Sequence, residues 1–317
     1  MPADLSSITI RRMQERDLTE ANRILKLAFG TAAGLEDPED FMRGADFVSS
    51  RWHMDATAAF VAEHNHCLLG SNFATNWGSF GFFGPLSVHP EYWGRKIAQA
   101  LLEPVMSRFD RWGIEHRGLY TAPDSPKHIH LYEKYGFSAG HLTAILTKAV
   151  SHKSEVACQR YSALSSSEQE AAVKACGLLT DKILPGLDVR REILAVAEQG
   201  LGETGLIYDD NGLATFAICH CGPGSEAGDD LCYVKFGAVR PDRDAGKNFH
   251  GLLLACEAIA VEHGLGNLSA GVNMNRRLAY RQLKESGYRN TLIGVAMETY
   301  PEKSYNREDT YIMDDWR

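Results

Sequence analysis

The 317-residue chain has no Cys-x-x-Cys pair and no excess of positive charge. It also has no apolar run approaching the roughly 18 to 20 residues that a membrane-crossing helix needs. Each absence removes a class of function. A net charge of −8 argues against sequence-independent binding to nucleic acid, which needs a basic face to displace counterions. The N-terminus lacks the charged-then-apolar pattern of a secretory signal, so the expected location is the cytosol and no membrane partner is expected. Cys67, Cys158, Cys176, Cys219, Cys221, Cys232 and Cys256 would leave one over if six paired, and they read as reduced thiols. Cys219 and Cys221 would share a strand face, but no His or Cys cluster repeats their spacing, so no metal is expected. The twelve histidines are scattered and read mostly as surface residues.

What remains is ample core-forming material, 44% hydrophobic and 23% charged, enough for two domains of ordinary size. Self-similarity supports that division. Val88 to Val239, Pro90 to Pro241 and Gly136 to Gly287 are each 151 residues apart, as are Lys96 to Lys247 and Leu101 to Leu252. The expected domains are 1–150 and 151–317, with the polar stretch Ser151 to Ser154 as linker.

Coarse periodicity follows one order in both halves. In the first, strands are expected at Ile8–Met13, Ala58–Ala62, Cys67–Thr75, Phe80–Val88, Arg117–Thr121 and Leu142–Lys148. Helices are expected at Asp17–Phe29, Pro38–Trp52, Gly94–Trp112, kinked at Pro104, and Pro126–Tyr135. The second half repeats the plan. Strands are expected at Val156–Leu164, Leu206–Tyr208, Leu213–Cys219, Leu231–Val239, Leu268–Val272 and Thr291–Glu298, with helices around 167–182, 189–198, 246–263 and 275–286. This order implies an α/β (α+β) fold, a mixed and mostly antiparallel sheet with helices on both faces of each half.

Two segments carry chemistry. Residues 86–98, Leu-Ser-Val-His-Pro-Glu-Tyr-Trp-Gly-Arg-Lys-Ile-Ala, run a strand through Pro90 into a turn that opens a helix. Unpaired amides at a helix start face the positive end of its dipole and can grip a pyrophosphate. Gly94 and Ala98 allow close approach, and Lys96 adds attraction. Residues 130–137, His-Leu-Tyr-Glu-Lys-Tyr-Gly-Phe, end a helix that carries Tyr132.

Together these segments resemble the Gcn5-related N-acetyltransferases, in tandem arrangement. That family's pyrophosphate loop reads Arg/Gln-x-x-Gly-x-Gly/Ala, and its later helix carries Leu-Tyr-x-x-x-Gly-Phe. The second motif matches closely. In the first, Trp93 stands for the Arg or Gln and Lys96 for the middle Gly, while Gly94, Ile97 and Ala98 fit.

The resemblance implies acetyl-CoA as cosubstrate, lying between splayed fourth and fifth strands. Leu86, Ser87 and Val88 would meet its pantetheine, and residues Trp93, Gly94, Arg95, Lys96, Ile97 and Ala98 its diphosphate. Asp124 stands where the family has a helix-start Asn, and His128 lies one turn further; Asp124 can equally cap that helix. Tyr132 would protonate the leaving thiolate after direct attack by an amine of a small molecule or peptide. For the base, Glu63, Asp124, His128 and His130 stay open, and His89 reads as loop. The carboxylate-rich Gly34–Asp40 would attract a cationic acceptor or simply be a solvated helix start.

The second half places Asp244 opposite Trp93, Phe249 opposite Ala98 and Leu283 opposite Tyr132, although a one-residue slide restores Arg243-x-x-Gly246-x-Asn248. It reads as a degenerate duplicate. The tail from Tyr305 is expected to cover the acceptor groove or an interface, or to be loose. A CoA-binding sensor or scaffold without turnover remains the alternative, as does transfer of another acyl group on the same fold. The reading admits a homodimer without requiring one.

Overall fold

A computed structural model describes residues 8–150 and 156–317. The expected linker at Ser151–Ser154 lies outside the described residues. The first half runs β1 (Thr9–Arg12), α1 (Leu18–Ala33), α2 (Phe47–Met54), β2 (Ala59–His64), β3 (Cys67–Trp77), β4 (Phe80–Phe83), β5 (Ser87–Val88), α3 (Ile97–Trp112), β6 (His116–Thr121), α4 (Pro126–Glu133) and β7 (Ser138–Ala149). The second runs β8 (Gln159–Arg160), α5 (Ser166–Ile183), α6 (Arg190–Gln199), β9 (Gly202–Asp209), β10 (Gly212–Cys221), β11 (Leu231–Val239), α7 (Ala245–Glu262), β12 (Asn267–Asn273), α8 (Arg277–Glu285), β13 (Arg289–Glu298) and β14 (Ile312–Met313).

Local chemistry explains most boundaries. In α3 the buried Ile97, Leu101, Leu102, Val105 and Phe109 recur at helical spacing, and Gly113 closes the helix in the left-handed region. Pro104 sits half-buried inside α3, whose helical assignment runs on through it. Some expectations need correction. The helix expected over 38–52 is a short 3-10 turn at Pro38–Asp40 and then α2, which starts where Asp46 caps Ser49 N–H. The strand expected over 156–164 shrinks to β8, followed by a 3-10 turn at Tyr161–Ala163. The strand expected over 80–88 is interrupted at Gly84–Pro85 and becomes β4 and β5.

The described strands join one sheet in the order β1-β2-β3-β4-β6-β13-β7-β12-β11-β10-β9-β8, with β5 against β3 and β14 against β11. The halves trade strands. β13 of the second half lies between β6 and β7 of the first, with Val295 opposite Thr121 and Ile293 opposite Ala144. β7 in turn pairs with β12, Leu146 opposite Ala270. Each half thereby hides an edge that would otherwise invite foreign strands.

Both faces are packed. Helices α3 and α4 cover one face of the first half, through Phe83, Leu119, Tyr132 and Phe137. On the opposite face, Trp77, Phe80 and Phe82 join Phe216, Phe236 and Ile312 of the second half in a shared core. A charged group is buried at this seam. Arg51 grips Glu226 with Nε–Oε1 at 2.8 Å and Nη2–Oε2 at 3.1 Å, and Lys235 Nζ reaches Oε2 at 2.8 Å. Burial alone would raise the Glu226 pKa, but Arg51 and Lys235 hold it well below the usual carboxylate range. His220 donates nothing to this group; its Nδ1 accepts the Glu226 N–H at 3.2 Å. His116 and His220 are buried, exceptions among histidines that read mostly as surface residues. No helix among the described residues is long and apolar enough to cross a membrane.

Two outcomes follow from the seam. Glu226→Gln leaves two buried cations facing each other and should cost about 3–5 kcal/mol in denaturant unfolding. Burial pushes His220 down to about 4 from an ordinary 6.5, despite the attraction of Glu226. Between those pH values the unfolded chain binds a proton that the folded one refuses, so stability falls as pH drops through the window. The slope from this group is up to about 1.4 kcal/mol per pH unit. His220→Asn should flatten that part of the stability–pH curve, and an unchanged curve would count against a neutral buried imidazole.

Candidate active site

The break at Gly84–Pro85 creates the opening. β4 pairs in parallel with β6, Phe80 opposite His116 and Phe82 opposite Gly118. Past the break, β5 pairs only with β3, at Gly70 and Ser71. Among the described residues nothing bonds β5 to β6, so the sheet divides there. His89 N–H donates to Leu69 O at 2.8 Å, and antiparallel alternation therefore turns the backbone of Val88 toward the gap. Leu86 flanks the same edge, while the Ser87 hydroxyl is buried against that of Ser71 at 3.2 Å.

The turn beyond β5 is tied down from within. The Trp93 indole is 42% exposed, yet its Nε1 donates to Val88 O at 2.7 Å, so the loop is folded back on the strand it leaves. Arg95 lies over the Tyr92 ring at 5.4 Å. Gly94 has φ +78 with open space where a Cβ would stand, and Lys96 has φ +63 as the N-cap of α3. The helix begins at Ile97, three residues later than expected. Its first internal hydrogen bond runs from Ala100 N–H to Lys96 O at 3.0 Å, and no side chain caps the start. The amides of Ile97, Ala98 and Gln99 are therefore left for a partner outside the helix. These residues fit an anionic group.

Tyr132 lies where β6 ends. It is buried, packs on Phe83 with ring centroids 5.7 Å apart, and is hydrogen-bonded to Thr121, the last residue of β6. Burial pushes its phenol up to about 12, a rise that the Thr121 bond opposes, so it carries its proton at neutral pH. Gly136, at φ +83, stops the turn after α4. Asp124 does not cap that helix: the N-cap is Ser125, and Asp124 is exposed. His128 is on the exposed side of α4, its pKa lowered by partial burial and by Lys127. Glu63 is bonded to Arg11 on the far side of β2, His130 lies 3.9 Å from Glu133, and the carboxylates of 37–40 are occupied in capping and in pairing with Arg23 and Arg43. The structure thus gathers Leu86–Val88, residues 93–98 and Tyr132 around one opening and leaves Glu63 away from it.

On the opposite face of the gap stand residues that the motifs did not indicate. Arg51 donates to Gly84 O and to Arg317 O. Tyr120, Asp315 and Arg317 are close neighbours there, and among the described residues the buried Tyr120 hydroxyl and Arg317 Nη2 have no hydrogen-bond partner. Sequence separation hid this grouping, since Arg51 and Arg317 are 266 residues apart.

Residues 23–137 match the family model described as the acetyltransferase (GNAT) family. This chain carries a GNAT domain. The fold of the chain is similar to that of a tandem GNAT protein from the clavulanic acid biosynthesis pathway (TM-score 0.58, 11% identity, 92% of this chain and 98% of that one). A protein from Pyrococcus horikoshii is similar over 98% of this chain and 95% of its own (TM-score 0.70, 13% identity). A GCN5-related N-acetyltransferase from Sphaerobacter thermophilus is similar over 92% and 95% (TM-score 0.58, 14% identity). No curated protein matches the sequence. The GNAT fold supports acyl transfer, and the divided sheet at β5 is where the GNAT resemblance put the pantetheine.

Lys96 bears both strain and charge. Lys96→Gly should stabilise the fold by about 1 kcal/mol through relief of the left-handed backbone, measured by unfolding. It should at the same time weaken binding of inorganic pyrophosphate to the protein, measured by calorimetry.

Proposed function

We propose that the first half binds acetyl-CoA and transfers its acetyl group to an amine of a small molecule or peptide by direct attack. The observation that carries the reading is the gap between β5 and β6, bordered by the open amides of α3 at one end and by a protonated phenol at the other. Val88 and Leu86 would bond the pantetheine along the strand edge, with the Val88 carbonyl already engaged by Trp93. Gly94, Arg95, Lys96, Ile97 and Ala98 would hold the diphosphate, through amides whose dipoles and whose Lys96 charge suit an anion. Trp93 is a positioning residue of that loop. Asp124 and His128, on the exposed rim of α4, would meet the outer part of the cosubstrate.

Acetyl-CoA supplies the thioester when bound. Tyr132 then holds a proton beside the departing sulfur: burial keeps its phenol protonated at neutral pH, so its O–H can donate to the negative charge that develops there. The amine approaches from the Tyr120 side of the gap, where the Tyr120 hydroxyl is available to accept a hydrogen bond from it. With Glu63 paired and distant, loss of the ammonium proton is assigned to water leading out of the gap. The net charge of −8 and the acidic rim at 35–40 favour a cationic acceptor.

Tyr132→Phe should lower kcat for CoA release with an accepted amine by about 10²-fold, within the usual range for loss of a general acid, while KM for acetyl-CoA changes little. Equal turnover in both proteins would remove the acid role.

A further inference from the structure

We propose that the second half keeps the shape of a cofactor slot but fills it permanently with residues 311–315 of its own chain, so that one molecule takes up one acetyl-CoA. This rests on the reading that the first half is a cosubstrate site. The argument starts from the 151-residue repeat. Gly237, Ala238 and Val239 are the counterparts of Leu86, Ser87 and Val88. In the first half the corresponding edge faces a gap. In the second, Gly237 pairs with Met313, Ala238 pairs with Ile312, and Val239 N–H donates to Tyr311 O at 3.1 Å.

The division of the sheet is otherwise the same. β11 pairs in parallel with β12 from Leu231 to Val234, opposite Asn267 to Ala270, and the strands part after that. The tail enters there. Space for it comes from a glycine on each flanking strand: a Cβ on Gly237 would stand 2.8 Å from the Met313 side chain, and one on Gly271 would stand 2.3 Å from Asp315. The first-half counterparts of these glycines are Leu86 and Tyr120. A pantetheine arm carries amides that bond a strand edge as a short peptide does, so a peptide strand is a chemically faithful occupant.

The diphosphate end is closed as well. The Tyr311 ring packs at a tilt against Phe249 with centroids 5.2 Å apart, and its hydroxyl lies 3.1 Å from where a Cβ on Gly246 would be, over the first turn of α7. Asp244 adds a carboxylate at that helix start. The tail is also locked. Arg276, fully buried at the N-cap of α8, donates to Ile312 O at 3.0 Å and to Asp314 Oδ1 at 2.7 Å, while Tyr305 donates to Asp314 Oδ2 at 2.7 Å. Ile312, Met313, Asp314 and Asp315 are all buried. Where Tyr132 stands in the first half, the second has the buried Leu283, so no acid is kept for a reaction.

Calorimetric titration of the full chain with acetyl-CoA tests the stoichiometry. The expected result is one equivalent for the native protein and none for Ala98→Trp, which fills the first cradle. Two equivalents, or one retained by a folded Ala98→Trp, would overturn the inference. No uptake by the native protein would instead overturn the first-half reading on which it rests. Hydrogen exchange on the native protein needs no variant. Amides of Gly237 to Val239 should exchange slowly before any addition and stay unchanged with acetyl-CoA, while residues 86–99 gain protection. Faster exchange across 304–317 when acetyl-CoA is added would show the tail being displaced, and would also overturn the inference.

Discussion

A strand edge that lies inside a protein has amides and carbonyls that water cannot reach, and each of them needs a partner. This single constraint organises the molecule. Both halves part their sheet beyond a short parallel pairing, β4 with β6 and β11 with β12. Each parting exposes an edge, and the two edges are satisfied differently. At β11 the chain supplies its own strand; at β5 it bonds one carbonyl through Trp93 and leaves the remainder facing a gap beside the open start of α3. The asymmetry between an open edge and a filled one is therefore an asymmetry in who completes a hydrogen-bond ladder.

The same constraint accounts for the exchange of β7 and β13. Each half ends in a strand that would be an open edge if it stayed at home, and placing each against the other half removes both edges. The exchange also brings the face of β4 and β6 against the second half, where the aromatic core of Trp77, Phe80, Phe82 and Phe236 excludes water. In that dry setting Arg51, Glu226 and Lys235 can persist only as a mutually bonded group, since each alone would be a buried unpaired charge. Their position beside Gly84 links the seam to the break that opens the gap.

Much of this was legible along the chain. The 151-residue repeat, the order of strands and helices, the small residues at Gly94 and Ala98, and the stop at Gly136 after α4 are local or periodic signals, and the structure keeps most of these elements while splitting or shortening those expected at 38–52, 80–88 and 156–164. The divided sheet at residues 84–88 matches the place where the GNAT resemblance put the pantetheine. Other features were not legible. The pairing of Arg51 with Glu226 spans 175 residues, and nothing in either neighbourhood marks it. The indole of Trp93 reads as a departure from a motif, and only its contact with Val88 O shows that it ties the loop. Asp124 had the right chemistry to cap α4 and lost the position to Ser125 by one residue of register.

By itself, the sequence determined the two-fold repetition, the element order and a first half better equipped than the second, because hydrophobic period, glycine position and the presence or absence of a phenol at residue 132 or 283 are properties of short segments. Tertiary structure alone decided which strand lies beside which, and that residues 311–313 rather than open space border β11. Those outcomes depend on the energy of completing hydrogen-bond ladders between segments far apart in the chain, a quantity that no short stretch of residues contains.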